Sequence, residues 1–221
     1  MAQITFEDIK NNREINTYIR QADASLLALG YTEHSFAHVT RCAQQASRIL
    51  KELGADEHSQ ELARIAGYMH DIGNLMNRID HAQSGAMMAF QILNRLGMPP
   101  EDIALVATAI GNHDESTAFP VNPVAAALIL ADKCDVRRSR VRSKDTIAFD
   151  IHDRVNYAVE ESHIDLDTAA KTITLVLTID TQLCPVMDYF EIFMTRMLLC
   201  RKAAAHFGCS FHLKVNGQSM L

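Results

Sequence analysis

Apolar side chains recur at helical spacing in five consecutive segments, and this periodicity constrains the fold more than any other feature of the sequence. Residues 36–53 and 59–72 each place their apolar side chains on one face, which predicts two packed amphipathic helices. Three further segments, at about residues 84–97, 100–110 and 122–136, begin or end at Ser84, Gly97, Pro100 or Asn122-Pro123, which favour helix termini. We therefore predict a mainly α protein whose first two thirds form a helical bundle.

The last third of the chain no longer shows a helical pattern throughout, because segments rich in β-branched residues appear. A basic segment, residues 136–145, is poor in large apolar residues, and residues 154–167 and 171–180 are rich in β-branched residues, which predicts a hairpin. Pro185 begins a long helix that Gly208 closes, and residues 211–215 suit a last strand. We therefore predict a helical domain at residues 1–145 and a small ββαβ extension at residues 146–221. The extension shows no catalytic cluster, so we expect it to serve structure or dimerisation as part of a homodimer.

Composition excludes several classes of protein. The 221 residues are 48% hydrophobic with a net charge of −6, which argues against disorder and against nucleic acid as a partner. No apolar run is long enough for a membrane span, and the N-terminus lacks the apolar core of a signal peptide. The five cysteines include no CxxC pair, so we expect a cytoplasmic protein without a disulfide framework. Methionines at helical spacing, among them Met187 and Met194, are interpreted as core residues.

A histidine–aspartate doublet, His70-Asp71, is the first candidate for chemistry. It falls in a predicted helix, where neighbouring residues point about 100° apart and can approach one point from two sides. The doublet alone is weak evidence, because a hydrogen-bonded histidine beside a solvated carboxylate has the same sequence. Asp132 shares a helix face with Leu128 and Ile129, and a buried carboxylate there needs a cation, a metal or strong hydrogen bonds. A structural salt bridge to Lys133 or to an arginine is the alternative for Asp132.

Three more histidines lie on or beside the inward faces of the predicted helices. His38 opens the first of these helices, His81 lies at the mouth of the third, and His113 follows Ile110 at helical spacing. Each alone is more often a hydrogen-bonded core histidine than a metal ligand. Together, four imidazoles and two carboxylates from five consecutive segments predict a metal site in the core of the bundle, where helical proteins build such sites.

These positions resemble the HD superfamily of metal-dependent phosphohydrolases, an all-helical family named after its His-Asp doublet. The blocks HSFAHV, GYMHDIGN, DHAQSGA, GNHDE and ALILADKCD resemble its binuclear branch, over about residues 30 to 142. The resemblance implies a binuclear metal centre in which Asp71 bridges the two ions. The implied metal ligands are His38, His70, Asp71, His81, His113 and Asp132.

Two positions depart from related families. HD-GYP cyclic-dinucleotide phosphodiesterases and HD-type dinucleoside tetraphosphate hydrolases are similar over the same blocks. The lysine of the HDIGK motif is Asn74 here, and the HHE motif is replaced by Asn-His-Asp-Glu at residues 112–115. These departures argue against a catalytic ammonium group at position 74 and against cyclic-di-GMP as the substrate.

The ligand types favour transition metals. Imidazoles with carboxylates suit Mn, Fe, Co, Ni or Zn better than Mg or Ca, and two such ions activate water and bind a phosphoryl oxygen. Besides Asp71, Asp114 is a candidate catalytic residue that transfers a proton or orients a ligand, although a solvated carboxylate would look the same. The candidates for contacts with substrate phosphate groups are Arg137 and Arg138 in the basic segment, together with Asn74 and Arg78.

Three classes of function are compatible with these residues. A hydrolase of a nucleotide-type phosphoester or phosphoanhydride is the leading hypothesis, because basic residues follow the ligand set. A diiron oxygenase of the HD fold would use the same ligands but would need iron and consume dioxygen. A non-catalytic nucleotide-binding signalling module would bind metal and nucleotide and form no product.

Overall fold

The computed structural model describes residues 4–142 and 150–220. The helices are α1 (Phe6–Lys10), α2 (Arg13–Ala28), α3 (Phe36–Glu52), α4 (Glu57–Met69), α5 (His81–Leu96), α6 (Pro100–Gly111), α7 (Pro123–Lys133), α8 (Ile151–Ala158) and α9 (Val186–His206). The strands are β1 (Val159–Asp167), β2 (Thr172–Ile179), β3 (Ser210–Val215) and β4 (Gln218–Ser219), and short 3₁₀ turns cover Ile72–Leu75 and Arg138–Arg140. The predicted helical bundle is confirmed, and the predicted domain boundary after residue 145 lies outside the described residues.

Helix α7 lies at the centre of the bundle. Residues 124–131 are all buried, and α3, α4, α6 and α9 pack around them. A helix that is apolar on every side must be enclosed in this way. The helix begins as predicted, because the side chain of Asn122 accepts a hydrogen bond from the backbone of Ala125 and Pro123 occupies the first turn. Its last turn carries Asp132 into the interior.

The His-Asp doublet lies at a break between helices, where we had predicted continuous helix. Helix α4 ends at Met69, and Asp71 precedes the 3₁₀ turn. The next helix, α5, begins at His81 and not at Ser84, because Asp80 adopts a left-handed conformation with φ of 57°. A side chain at Gly73 would come within 2.0 Å of the carbonyl oxygen of His81. Glycine at this position therefore allows the turn after the doublet to touch the start of α5.

The extension contains a four-stranded sheet in the order β1-β2-β3-β4. Strand β2 pairs antiparallel with β1 and parallel with β3, and α9 connects β2 to β3. The sheet has one strand more than predicted, the short β4. The first predicted strand also begins later, because the side chain of Asp150 accepts hydrogen bonds from the backbones of His152 and Asp153 and starts helix α8 over Ile151–Ala158.

The extension packs directly on the bundle. Helix α9 lies against α7, and the side chains of Arg41 and Arg48 on α3 donate to the backbone carbonyls of Ser162 and Ile164 on β1. One continuous set of buried apolar residues includes members of both parts. None of the helices in the described ranges combines the length and the apolarity needed to cross a membrane.

Candidate metal centre

The six predicted ligands converge on one buried point of the bundle. They are His38 of α3, His70 and Asp71 after α4, His81 at the start of α5, His113 after α6 and Asp132 near the end of α7. Five of them are at most 5% exposed, and the side chain of Asp132 is 11% exposed. We refer to these six residues as the ligand cluster.

The carboxylate of Asp71 divides the four histidines into two pairs. Its Oδ2 atom lies 3.5 Å from Nε2 of His38 and 3.2 Å from Nε2 of His70. Its Oδ1 atom lies 3.6 Å from Nε2 of His81 and 3.8 Å from Nε2 of His113. One carboxylate therefore connects two separate groups of imidazole nitrogens.

Each of the four histidines is oriented by a hydrogen bond from its other ring nitrogen. Nδ1 donates to a carbonyl oxygen three residues earlier in three cases: His70 to Gly67 at 2.9 Å, His81 to Arg78 at 3.0 Å and His113 to Ile110 at 2.6 Å. In the fourth case, Nδ1 of His38 donates to Oδ2 of Asp135 at 2.7 Å. Because carbonyl and carboxylate oxygens accept these hydrogen bonds, Nδ1 of each ring carries a proton and Nε2 faces the cluster. This is the usual support of metal-binding histidines.

Several polar atoms in the cluster need a positive partner. Nε2 of His70 and Oδ2 of Asp71 are buried with no hydrogen bond to any described residue. Nε2 of His81 lies 3.2 Å from Nε2 of His113, so two lone pairs face each other. A buried acceptor left unpaired costs about 1–3 kcal/mol. A divalent cation between these atoms would satisfy them, and the donor set therefore fits a metal ion.

The two histidine pairs differ in their electrostatics. Burial lowers the pKa of His70, but the carboxylates of Asp71 and Asp132 outweigh this effect and raise the pKa to about 10. Burial and the neighbouring charge of His70 lower the pKa of His113 to about 3, and burial also lowers the pKa of His81. Positive charge is therefore stabilised near His70, whereas the second pair consists of neutral imidazoles that are free to act as ligands.

Both oxygens of Asp132 are held in place. Oδ1 faces the cluster, 3.4 Å from Nε2 of His38, and Oδ2 lies 2.8 Å from Nζ of Lys133. Lys133 is buried and also lies 2.6 Å from Oε2 of Glu115, whose Oε1 accepts a hydrogen bond from Nε of Arg196 at 3.0 Å. This chain of charged groups connects the ligand cluster to helix α9 of the extension.

A cavity of about 430 Å³ adjoins the cluster. Its lining includes Asp71, His81, His113 and Asp132 of the cluster, Asp153 and Asn156 of α8, and Phe193 and Arg196 of α9. The extension thus forms part of the cavity wall, although the sequence had suggested only a structural or dimerisation role for it. The volume is within the range of small-molecule sites.

Among the described residues, four cationic side chains line the cavity, namely Arg78, Lys133, Arg140 and Arg196. Three of them are fully engaged within the protein. Lys133 and Arg196 contact the carboxylate of Glu115, and Arg140 donates to the carbonyl oxygens of Glu33 and Asp135, each at 3.0 Å.

Arg78 is the exception. Its Nη1 atom makes two long contacts, each of 3.4 Å, with Oδ1 of Asn74 and Nε2 of His81. The guanidinium lies over the ring of Tyr31, 5.5 Å from its centroid. No ion pair joins Arg78 to a carboxylate within residues 4–142 and 150–220, so it is the cavity cation best placed to bind an anion.

Arg137 and Arg138, two of the predicted phosphate ligands, lie elsewhere. Arg137 forms ion pairs of 3.0 Å with Glu33 and Asp135, and Nε of Arg138 donates to the carbonyl oxygen of Tyr157 at 2.6 Å. Both line a separate surface pocket beside β1 and not the described part of the cavity. Their position instead suits fixing the segment that follows α7.

Asn74 and Asp114 lie behind the cluster. Nδ2 of Asn74 donates to Oδ1 of Asp71 at 3.0 Å and thereby orients this carboxylate. Oδ2 of Asp114 lies 3.7 Å from Nε2 of His81, while its Oδ1 accepts hydrogen bonds from Ser116. Neither residue is among the described residues that line the cavity, so their positions favour orienting ligands over touching a substrate.

The thiol of Cys42 lies within reach of the cluster. Its sulfur is 3.7 Å from both Nδ1 and Nε2 of His38. These equal distances place the sulfur off the lone-pair axis of Nε2, and burial raises the pKa of the Cys42 thiol well above its usual value. The geometry therefore favours packing of a neutral thiol over metal ligation.

The sequence predicts no site role for Asp135, Arg140 or Arg196, and it offers Lys133 only as a salt-bridge partner of Asp132. Asp135 and Lys133 lie in the quoted block ALILADKCD, and the three-residue spacing from Asp132 to Asp135 is a signal that indicates a shared helix side. Arg140 and Arg196 carry no comparable local signal, because their roles depend on the packing of the extension against the bundle.

Comparison with known proteins shows which family the region around the ligand cluster resembles. Residues 35–137 match the family model of the HD domain. Over 162 residues, the chain is 25% identical to an uncharacterized protein of Methanocaldococcus jannaschii, an alignment that covers 63% of this chain and 62% of the relative. Over 124 residues it is 30% identical to ribonuclease Y of Cutibacterium acnes, covering 53% of this chain and 22% of that protein. The chain thus spans less than two thirds of either relative.

One protein of known crystal structure is similar to this chain. It is that of a predicted HD superfamily hydrolase from an uncultured Thermotogales bacterium, with 27% sequence identity and a TM-score of 0.45. The similarity covers 57% of this chain and 68% of the other.

Proposed function

Because residues 35–137 match the family model of the HD domain, we propose that the chain is a metal-dependent phosphohydrolase that cleaves a nucleotide-type phosphoester or phosphoanhydride. One observation carries the proposal: each oxygen of Asp71 faces its own pair of imidazole nitrogens. This is the arrangement expected of a carboxylate that joins two neighbouring metal positions.

The ligand cluster would hold two divalent transition-metal ions. His38, His70 and Asp132 would bind one, His81 and His113 the other, and Asp71 would bind both. When bound, such ions supply Lewis-acid activation of water and of a phosphoryl oxygen. The imidazole-rich donor set favours Mn, Fe, Co, Ni or Zn.

The remaining residues of the site would bind and orient the substrate. Arg78 lines the cavity and forms no ion pair with a carboxylate of the described residues, and its guanidinium suits a phosphate oxygen. Asn74 fixes Asp71 through its 3.0 Å hydrogen bond, and Asp114 lies close enough to His81 to influence its orientation. Phe193 on α9 contributes an apolar surface to the cavity, which would limit the access of bulk water.

A substrate panel tests this proposal. The protein, loaded with manganese, is incubated under nitrogen with bis(p-nitrophenyl) phosphate, nucleoside mono-, di- and triphosphates, cyclic nucleotides and dinucleoside polyphosphates. We expect hydrolysis of at least one nucleotide, and loss of that activity in Asp71→Ala with an unchanged helical circular dichroism spectrum. Equal hydrolysis by Asp71→Ala would refute the assignment.

The same experiment separates the alternative functions. Turnover under nitrogen with manganese excludes a requirement for dioxygen and iron. Oxygen consumption by the iron-loaded protein, without hydrolysis, would indicate an oxygenase. Binding of metal and nucleotide without any product would indicate a signalling module.

A further inference from the structure

Helix α9 presents an exposed stripe along its whole length. Met187, Met194 and Leu198 are 73%, 42% and 41% exposed, although the methionines were expected in the core. Glu191, Arg201 and Ala205 are exposed on the same side. We call these six residues, Met187, Glu191, Met194, Leu198, Arg201 and Ala205, the outer face of α9.

The outer face follows the period of a coiled coil. Its members are spaced by alternating steps of four and three residues over a helix of 21 residues, which corresponds to three heptads. The opposite side of α9 carries buried residues such as Tyr189, Phe193 and Cys200 and packs against α7. The core formed by residues 4–142 and 150–220 therefore makes no use of the outer face.

The order of residues on this face is self-complementary. If two copies pair antiparallel about a two-fold axis near position 196, Met194 faces Leu198 of the second copy. In the same register, Glu191 faces Arg201 of the second copy, and Met187 faces Ala205 of the second copy. Every contact is then either apolar with apolar or acidic with basic, and each occurs twice, as a two-fold interface requires.

A parallel pairing lacks this complementarity. It would place Glu191 against the Glu191 of the second copy and Arg201 against the Arg201 of the second copy, and like charges at facing positions destabilise a helix pair. Neither Glu191 nor Arg201 forms an ion pair with another residue in the described part of the chain. Charge complementarity therefore selects the antiparallel arrangement.

We propose that the chain forms a homodimer through an antiparallel coiled coil of two α9 helices. The central layer consists of Met194 and Leu198 from both copies, flanked by two Glu191–Arg201 ion pairs. Since Phe193 and Arg196 point to the other side of the helix, where they line the cavity, this contact leaves the cavity lining uncovered. The proposal does not depend on the proposed hydrolase activity.

Exchanging the charges of Glu191 and Arg201 tests both the contact between the two α9 helices and its register. The mass of the full chain is measured by light scattering after size-exclusion chromatography, and the dimer Kd by sedimentation equilibrium. The variants are Glu191→Arg, Arg201→Glu and the double variant with both changes. Lys51→Glu, which reverses the charge of an exposed lysine at the end of α3, away from α9, is the matched control.

We expect the wild type to be a dimer and each single charge variant to raise the dimer Kd at least about tenfold, because each places like charges together twice. The double variant should return the Kd to near the wild-type value, and Lys51→Glu should leave it unchanged. Circular dichroism confirms that every variant is folded. A monomeric wild type, or single variants that dimerise as tightly as the wild type, would overturn the proposal, and failure of the double variant to recover would overturn the register.

Discussion

Nζ of Lys133 lies 2.8 Å from Oδ2 of Asp132, while Oδ1 of the same carboxylate faces His38. The buried ammonium group therefore fixes which oxygen Asp132 presents to the cluster. Replacing Lys133 by methionine keeps most of the side-chain volume and frees the carboxylate to rotate. We expect metal affinity to fall about 10–100-fold, as for other residues that orient metal ligands.

Competition with a chromophoric chelator measures this affinity. Lys51→Met removes an exposed lysine at the end of α3 and is the control. Equal metal affinities of Lys133→Met and the wild type would show that Asp132 needs no such support.

The division of the histidines by Asp71 predicts that metal content falls in steps. His81→Ala or His113→Ala should reduce the bound metal from about two ions per chain to about one, because each variant removes a ligand from one pair only. Mass spectrometry of protein purified without chelators measures the content. An unchanged metal content in both variants would assign these two histidines to structure or to substrate contact.

Arg78 should bind substrate without affecting the metal. For the nucleotide that the panel identifies, Arg78→Gln should raise KM about 10–100-fold, since a lost charge-assisted hydrogen bond costs about 1.5–3 kcal/mol. Metal content should stay at the wild-type value. Arg138→Gln, which removes a partly exposed guanidinium outside the cavity, is the control and should leave KM unchanged. Similar KM values for both variants would contradict the role of Arg78.

Gly73 should not tolerate a side chain. A Cβ atom there would lie 2.0 Å from the carbonyl oxygen of His81 and 2.4 Å from the backbone nitrogen of Gly85. Relieving these clashes would require the backbone itself to shift, which destabilises the fold. Gly73→Ala should therefore lower the free energy of unfolding by at least about 1–3 kcal/mol and weaken metal binding by displacing His81.

Gly111 offers a matched comparison on helix α6. A Cβ atom there would meet only the side chain of Ala86, at an ordinary 3.5 Å. Gly111→Ala should keep the stability or raise it by about 0.5–1 kcal/mol. Urea denaturation measures both variants, and equal stability of the two would disprove the close contact at Gly73.

Local patterns were sufficient to predict the bundle. The helix from Pro123, with Asn122 as its cap, depends on contacts within four residues of sequence, and such contacts can be read from the chain. The break after Met69 could not be predicted in the same way, because it depends on the approach of Gly73 to α5. Residues 154–158 form helix and not strand for a local reason, the cap at Asp150, whose signal was overlooked.

The candidate site likewise combines residues that the sequence predicts with contacts that it does not. The ligand cluster was predicted because its residue types and spacing resemble those of a family. The hydrogen bond from His38 to Asp135 and the contact of Lys133 with Glu115 are tertiary contacts, and no periodicity indicates them. Arg137 and Arg138 illustrate the opposite case, since a basic sequence run contains no information about which carboxylates will neutralise it.

The two oxygens of the Asp71 carboxylate are chemically equivalent, but only Oδ1 accepts a hydrogen bond from Asn74. Their surroundings therefore differ. An amide at position 71 would turn its single oxygen towards the donor Asn74, and hence towards His81 and His113. Its NH₂ group would then point at His38 and His70, where it would repel a cation. Asp71→Asn would thus replace a carboxylate that faces both histidine pairs by a one-sided ligand, and would permit each half of the proposed centre to be studied without the other.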